Sequence, residues 1–546
     1  MHNIQPEDIN CKILDHLGLV ADTIDELDII SHIDKALPVS LNKGAKTTMG
    51  ERVAAMIFNG LGFIDNRLYL FPEFLKSKAV NRIFARDVKA EYFNDDVLGR
   101  CLDEISDYGV TKLFTEMSFA IGTKKGLLGT SAHFDTTTLQ VWGEYDTNAK
   151  DDSPHPARGY SKNGRHDLKQ MVLNLATTGK SAFPVWMEAH SGNASDKTVL
   201  PNAAKQMKQL CNSLKGSPEF LYVGDSAIYS NVLKYPELKW LSRVPVSIKE
   251  AKDLVQSNND TLSWLPLTDG YFYHVTTSNY GEIEQRWVLI YSEHAYKREN
   301  KTLDKRIATE NKQQSKDWWH LSNQEFSCIK DAEKSIKLQK KKLKYHSVYT
   351  NVIPITVHAK KGRPAADAKK IIKGYKIEFQ LERDELLIAK RRIEKGRFVL
   401  ATNELDESTL PSMDILKEYK AQSGTEKSFK FIKNNSFEVD SIFLKKDSRI
   451  EALMMIMTLC LMVYGVAEYN VRTKLVAANE TIPNPGGKPT NKPSLQRVFQ
   501  LFLGIQEVEI SLGVVTKHVV ANITEVVRKV LGCFGNRARE IYLSSA

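Results

Sequence analysis

The apolar run Phe220-Leu-Tyr-Val-Gly-Asp225 ends in a carboxylate, and this constrains the fold more than any other feature of the chain. It reads as a buried strand with an acid as its last residue. Such a group costs several kcal/mol to bury unless a cation or a donor compensates it. A second acid, Asp135, interrupts the extended stretch Ser131-Ala-His-Phe-Asp-Thr-Thr-Thr-Leu139. A third, Glu426, lies in a helical segment with the spacing Tyr419-x2-Gln422-x3-Glu426-x6-Lys433. Mg²⁺ and Mn²⁺ prefer oxygen ligands to thiols or imidazoles. Three carboxylates from separate segments could share two such ions, which suits phosphodiester chemistry. Each also has a plainer reading. Asp135 could be bonded to a turn, Asp225 could cap a helix because Asp-Ser suits a helix start, and Glu426 could be a solvated helix charge.

The order of elements supports an α/β fold. Residues 1 to 118 read as mostly helical, with Thr48 and Glu51 at capping-box spacing ahead of an apolar helix. The basic residues Lys76, Lys78, Arg82, Arg86 and Lys89 fit a small DNA-binding module, and equally a dimerisation or docking unit. From residue 119 the pattern turns to strands: Leu127 to Leu139 and on through Asp146, then Met171–Ala176, then Ala182–Glu188. A helix over Asp196–Leu214 precedes the strand ending at Asp225. Three strands, a helix and a further acid-ended strand suit an RNase H-like mixed sheet, in which neighbouring strand ends gather carboxylates at one edge.

Asp225 and Glu426 are 201 positions apart, too far for a simple loop, so the chain between them carries its own structure. The expected division is a helical N-terminal region over 1–118, a first part of the mixed-sheet core over 119–264, an insertion over 265–395, a second core part over 396–480, and a linker with C-terminal helices over 481–546. Within it, Leu410–Lys433 reads as one helix or two, Pro483–Pro493 as the linker, and the remainder to Ala546 as further helix.

Composition narrows the classes. A net charge of +10 fits a polyanionic partner, or simply a solvated basic surface. Six scattered cysteines with no C-x-x-C pair argue against a zinc module and a disulfide framework, and for a reducing cytoplasm. The N-terminus lacks the basic and apolar regions of a signal peptide. The most apolar run, Ala452–Ala467, is 16 residues. A membrane span needs about 20, so the run reads as a buried core helix.

With these residues in place, the chain resembles prokaryotic insertion-sequence transposases of the DDE class, in the group whose third acid lies in a Y-x2-R-x3-E-x6-K signature. Tyr419, Glu426 and Lys433 match that spacing, and Gln422 stands where Arg is usual. His133-Phe-Asp-Thr-Thr137, the polar basic turn Gly159–Gln170, Val223-Gly-Asp-Ser-Ala227 and the helix beginning Arg449-Ile-Glu-Ala452 also look like that group. The likeness runs from about residue 30 to the C-terminus, with the motifs in the expected order.

The resemblance implies an RNase H-like core with a β-rich insertion and a helical region that helps bind the element's ends. It implies cut-and-paste excision and insertion of the chain's own element. Asp135 would bridge two Mg²⁺ ions (Mn²⁺ can substitute), with Asp225 and Glu426 each holding one. The partners would be double-stranded DNA, both inverted-repeat ends and target, and a second copy of the chain, because two ends must be joined. The setting would be a prokaryotic cytoplasm, at the nucleoid. Two other readings stay open: a nuclease of the same fold without strand transfer, and a non-catalytic DNA-binding derivative.

Residues for DNA contact follow. At about 3.6 residues per turn, Tyr419, Gln422, Glu426 and Lys433 form one helical stripe. The stripe would aim the carboxylate at the metals while Tyr419, Gln422 and Lys433 reach the strand; an amphipathic surface stripe is the alternative. Glu418 is the rival acid if the register differs. Lys162 and Arg165 belong to the basic turn. Arg363 sits in Lys360-Lys-Gly-Arg-Pro364, which resembles the centre of an AT-hook and also suits a plain basic loop. The run Lys340–Lys342 is a solvated face or a backbone-tracking one. His133, on the strand face of Asp135, either orients a ligand or is structural.

Overall fold

The computed structural model describes residues 8–39, 41, 44–62, 68–142, 145, 154–160, 164–213, 218–358, 370–432, 444, 446–512 and 515–544. Lys162, Arg363 with its AT-hook-like run, and Lys433 lie outside the described residues. The chain divides into a first unit, residues 1–242 with 417–546, and a second, residues 243–416.

The first unit opens with strand β1 (Ile9–Ile13) and then helices α1 (Leu17–Glu26), α2 (Ile29–Ala36), α3 (Met49–Leu61), α4 (Phe71–Lys76), α5 (Val80–Phe84), α6 (Asp95–Tyr108) and α7 (Val110–Lys125). The capping box forms as its spacing predicts. Glu51 N donates to Thr48 Oγ1 at 3.2 Å, and Thr48 N donates to Glu51 Oε2 at 2.8 Å. The same carboxylate receives Arg86 at 2.5 and 2.6 Å, fixing the helix start to the following segment. A Cβ on Gly50 would lie 2.4 Å from Ile30 O, so no side chain fits where α3 meets α2.

Next come β2 (Ser131–Val141), β3 (Lys169–Thr178), β4 (Phe183–Ser191), α8 (Asp196–Ser213), β5 (Leu221–Gly224), α9 (Ser226–Val232) and β6 (Trp240–Arg243). They form a mixed sheet in the order β4-β3-β2-β5-β6. β4, β3 and β2 are antiparallel, and β2, β5 and β6 are parallel. β2 stops at Val141, short of the extension to Asp146 that its composition suggests.

The second unit contains α10 (Lys249–Gln256), β7 (Leu265–Pro266), β8 (Tyr271–Ser278), β9 (Gln285–Ser292), α11 (Glu293–Ser322), α12 (Ile329–Lys340), β10 (His346–His358), β11 (Lys370–Arg383), α13 (Glu385–Ile393) and β12 (Arg397–Thr402). β12, β9, β8 and β7 pair antiparallel in that order. The hairpin β10–β11 packs with α11 and α12 around Trp318, Phe326, Ile336, Val348 and Ile377. This unit therefore has an apolar core of its own.

The chain then runs through α14 (Ser412–Ala421), α15 (Ser423–Ile432), α16 (Asp447–Ala477), β13 (Ile482–Pro483), β14 (Pro489–Thr490), α17 (Leu495–Leu501), β15 (Gln506–Leu512), β16 (Val515–Ala521), α18 (Glu525–Leu531) and α19 (Asn536–Leu543). α16 is long and apolar enough to cross a membrane by length and composition, but 78% of its most apolar window is buried inside the protein. It is the core helix expected from Ala452–Ala467. It packs on α3, α6 and β4, and Arg449 grips Asp103 of α6 at 2.7 and 2.6 Å.

The C-terminal stretch corrects the all-helical expectation. β15 and β16 form a hairpin, and β1 adds to it with Ile9 opposite Ile510. Alternation in Glu507-Val-Glu-Ile510 is strand-like, and one partner, β16, is local, but the other, β1, lies almost a full chain length away, beyond the reach of local pattern. The linker also holds the short pair β13–β14.

His16 anchors this region. Its Nε2 donates to Leu61 O at 2.8 Å, and its ring stacks on Phe499 with centroids 4.1 Å apart. Burial, helped by the charge of Lys78 and opposed by the Leu61 bond, pushes its pKa from 6.5 to about 4. The unfolded chain therefore takes up this proton first as pH falls, so the contribution is complete above pH 6.5 and is lost toward pH 4. We expect the part of the melting temperature that His16 contributes to be level above that value and to fall below it. In His16→Gln the drop should be shallower, because the amide keeps a donor but binds no proton. Equal slopes in circular-dichroism melts would remove His16 from this account.

Candidate active site

β2 and β5 run parallel, with Ser131, Ala132 and His133 opposite Leu221, Tyr222 and Val223. Asp135 and Asp225 each stand two residues beyond the last of these pairs. Side chains alternate along strands, so register puts the two acids level with each other where β5 ends and nominally on the same face, with the strands about 4.8 Å apart. Asp135 is half-buried, and its Oδ1 accepts from Thr136 N at 2.7 Å. On the opposite face, Thr136 Oγ1 donates to Asp196 Oδ1 at 2.7 Å, tying the start of α8 to β2. Asp225 is exposed and caps α9: its Oδ1 accepts from Ala227 N at 2.8 Å. Its carbonyl accepts from Ser242 Oγ at 2.8 Å. The cap reading of Asp225 is thus realised, and it holds the residue still at the strand end.

Glu426 is carried by α15, and the residues before it fix that helix to β2. Gln422 Nε2 donates to Phe134 O at 3.3 Å. Thr425 Oγ1 donates to His133 O at 3.2 Å and bonds Thr177 Oγ1 at 2.7 Å. Thr177 is the cross-strand partner of His133 and shares the face of Asp135. α15 therefore lies over the face from which Asp135 projects. Glu426 follows Thr425 in the first turn, exposed, where the helix dipole favours an anion.

The single stripe expected from Tyr419 to Lys433 is divided. α14 ends at Ala421 and α15 starts at Ser423. The break falls at Gln422, which turns inward to the β2 backbone and is buried rather than reaching outward to a phosphate. Tyr419 is half-buried, before the break. The rival acid, Glu418, is engaged elsewhere. Ser131 Oγ donates to Glu418 Oε2 at 2.8 Å and contacts His133 Nε2 at 3.0 Å. Ser131 has one hydroxyl proton, and an ionised carboxylate only accepts. His133 must therefore donate from Nε2, which fixes its tautomer and ties its ring to the start of β2. Burial pushes its pKa to about 4, so it is neutral at physiological pH.

Arg165 is exposed, forms a two-pronged pair with Asp167 at 2.8 and 2.7 Å, and stacks over Trp142 at 5.4 Å. Among the described residues, no three His, Cys, Asp or Glu side chains are close enough to hold an ion together. The structure thus brings Asp135 and Asp225 level on neighbouring strands with α15 over the face of Asp135, without gathering the three carboxylates at a point. Thr425, Ser131 and Asp196 were not foreseen from sequence. A threonine beside the acid was visible, but nothing local showed that it points at a strand carbonyl.

Residues 134–463, more than half of the chain, match the family described as Transposase DDE domain, and residues 9–119 match one described as Domain of unknown function (DUF4277). The chain belongs to the DDE transposase family. It is an enzyme of DNA transposition, a class that acts on DNA with divalent metal ions. No curated protein matches it. A piggyBac transposase synaptic complex with hairpin DNA, solved by cryo-electron microscopy, is 12% identical, with 90% of this chain and 80% of that one covered at a TM-score of 0.36. That likeness is too distant to bear on the fold.

The α15 anchor makes two predictions. Thr425→Val should cost about 1 to 3 kcal/mol in urea unfolding, because the desolvated acceptor His133 O loses its donor. Gln422→Ala should lower DNA cleavage while leaving the Kd for duplex DNA unchanged. A Kd raised several-fold would return Gln422 to the DNA surface.

Proposed function

We propose that this transposase serves a prokaryotic insertion sequence and moves it by cut-and-paste, from an RNase H-like core whose Asp135, Asp225 and Glu426 hold two Mg²⁺ ions or Mn²⁺ in their place. The parallel register that sets Asp135 beside Asp225 carries the reading. The donor set fits hard divalent cations: three carboxylates, with Asp225 and Glu426 exposed and Asp135 half-buried. When bound, such ions activate water or a DNA 3′-hydroxyl and offset charge on the leaving oxygen. Asp135 is suited to bridge, lying in register with Asp225 and on the face under α15. The cap on α9 keeps Asp225 from turning away. Glu426, exposed in the first turn of α15, would supply the third carboxylate.

On this reading residues 1–118 help bind the element's inverted-repeat ends, 119–264 and 396–480 form the catalytic core, 265–395 form the insertion, and 481–546 form the linker and the C-terminal helices with their hairpin. Tyr419, Lys433, Lys162, Arg165 and Arg363 contact DNA, with Arg165 exchanging Asp167 for a phosphate. Two copies join two ends, in a prokaryotic cytoplasm at the nucleoid. The signature group is that of Y-x2-R-x3-E-x6-K, with Gln422 in an inward role that leaves the acid in place.

Asp135→Asn, Asp225→Asn and Glu426→Gln should each reduce metal-dependent end cleavage roughly 10³-fold or more, with melting temperature and duplex Kd preserved. A variant that keeps full activity loses its assignment. A pre-cut end with a free 3′-hydroxyl should be joined to target DNA by the unsubstituted protein. Cleavage without joining would make the chain a nuclease instead.

A further inference from the structure

Helix α11 is the longest described helix of the second unit, at 30 residues, and its two sides differ sharply. Asn300, Leu303, Ile307, Gln314 and Trp318 are buried and define the inner side. Lys297, Lys301, Lys305, Lys312 and Lys316 recur at intervals of four, four, seven and four, and all are exposed. At about 100° per residue they fall in one stripe opposite the buried side. Of the acids of the helix, Glu299, Glu310 and Asp317 fall on the far half, while Glu293 and Asp304 border the stripe beside Lys297. Several have partners: Asp304 with Arg392 at 2.6 Å, Glu310 with His346 at 3.1 Å, and Glu299 with Gly396 N at 3.1 Å. Among the described residues, none of the five lysines has a carboxylate partner.

A solvated helix ordinarily mixes signs, because Glu and Lys at i,i+4 attract. Here Lys297, Lys301 and Lys305 repel at that spacing, a cost to the free protein that a polyanion would offset. From Lys297 to Lys316 the stripe is roughly 28 Å long at about 1.5 Å per residue, comparable to about eight base-pair steps of duplex. Trp319, 58% exposed, extends the stripe with an aromatic surface beside the cations. We propose that the outward face of α11 binds the phosphate backbone of duplex DNA. The proposal depends on the transposase reading only for the identity of the polyanion, and it concerns a surface that the catalytic carboxylates do not use.

The test is fluorescence anisotropy of the full chain on a random-sequence duplex without divalent metal, across a series of KCl concentrations. The triple variant Lys301→Gln, Lys305→Gln, Lys312→Gln should bind at least tenfold more weakly at low salt. Its slope of log Kd against log salt should fall by about 2 to 3, at about 0.9 for each phosphate that is no longer neutralised. The three corresponding Lys→Arg changes should restore both. Because the positions are exposed, the melting temperature should stay level or rise. An unchanged slope overturns the proposal and assigns the stripe to another partner. Asp135→Asn separates the two readings: loss of cleavage with an unchanged triple-variant slope sinks this proposal alone, and a changed slope with active Asp135→Asn sinks the catalytic assignment alone.

Discussion

Parallel pairing of β2 with β5 is the constraint on which the site depends. An antiparallel β5 would carry Asp225 to the other end of the pairing, away from Asp135. Parallel neighbours put equivalent positions side by side, and the offset of two residues past the last pair is the same on both strands. The parallel step needs a crossover, which β3, β4 and α8 provide. The bond from Thr136 to Asp196 secures the start of α8 to the strand bearing the first acid. Thus the connection that makes the register possible is itself fastened beside the site.

The third acid depends on side-chain bonds to strand carbonyls. Gln422 and Thr425 commit their polar groups to Phe134 O and His133 O, on either side of one peptide link of β2. Buried polar bonds of this kind contribute little net stability but are costly to break, so they specify position more than they stabilise. The Glu418–Ser131–His133 chain does the same at the start of β2, and burial keeps its histidine neutral. Glu426, exposed next to Thr425, is left out of this network and is available for chemistry.

Much of the fold was legible because it was local. The capping box at Thr48, the apolar run of α16 and the strands at Asp135 and Asp225 each declare themselves within a short local stretch. The addition of β1 to the hairpin β15–β16 was not legible, since β1 lies at the other end of the chain. Nor was the break at Gln422. The interval from Tyr419 to Lys433 is helical in its spacing throughout, and only a carbonyl on a distant strand turns Gln422 inward.

The residue order by itself determined which acids are candidates, the alternation of strand and helix around them, and membership of a transposase family, because these reside in spacing and local periodicity. Tertiary structure alone decided that Asp135 and Asp225 stand level on neighbouring strands and that α15 lies over the face of Asp135. It also decided that Glu418 is occupied and that Gln422 supports the helix. The reason is that hydrogen bonds between strands, and from a helix to a strand, join residues hundreds of positions apart, and no local pattern records which donor meets which carbonyl.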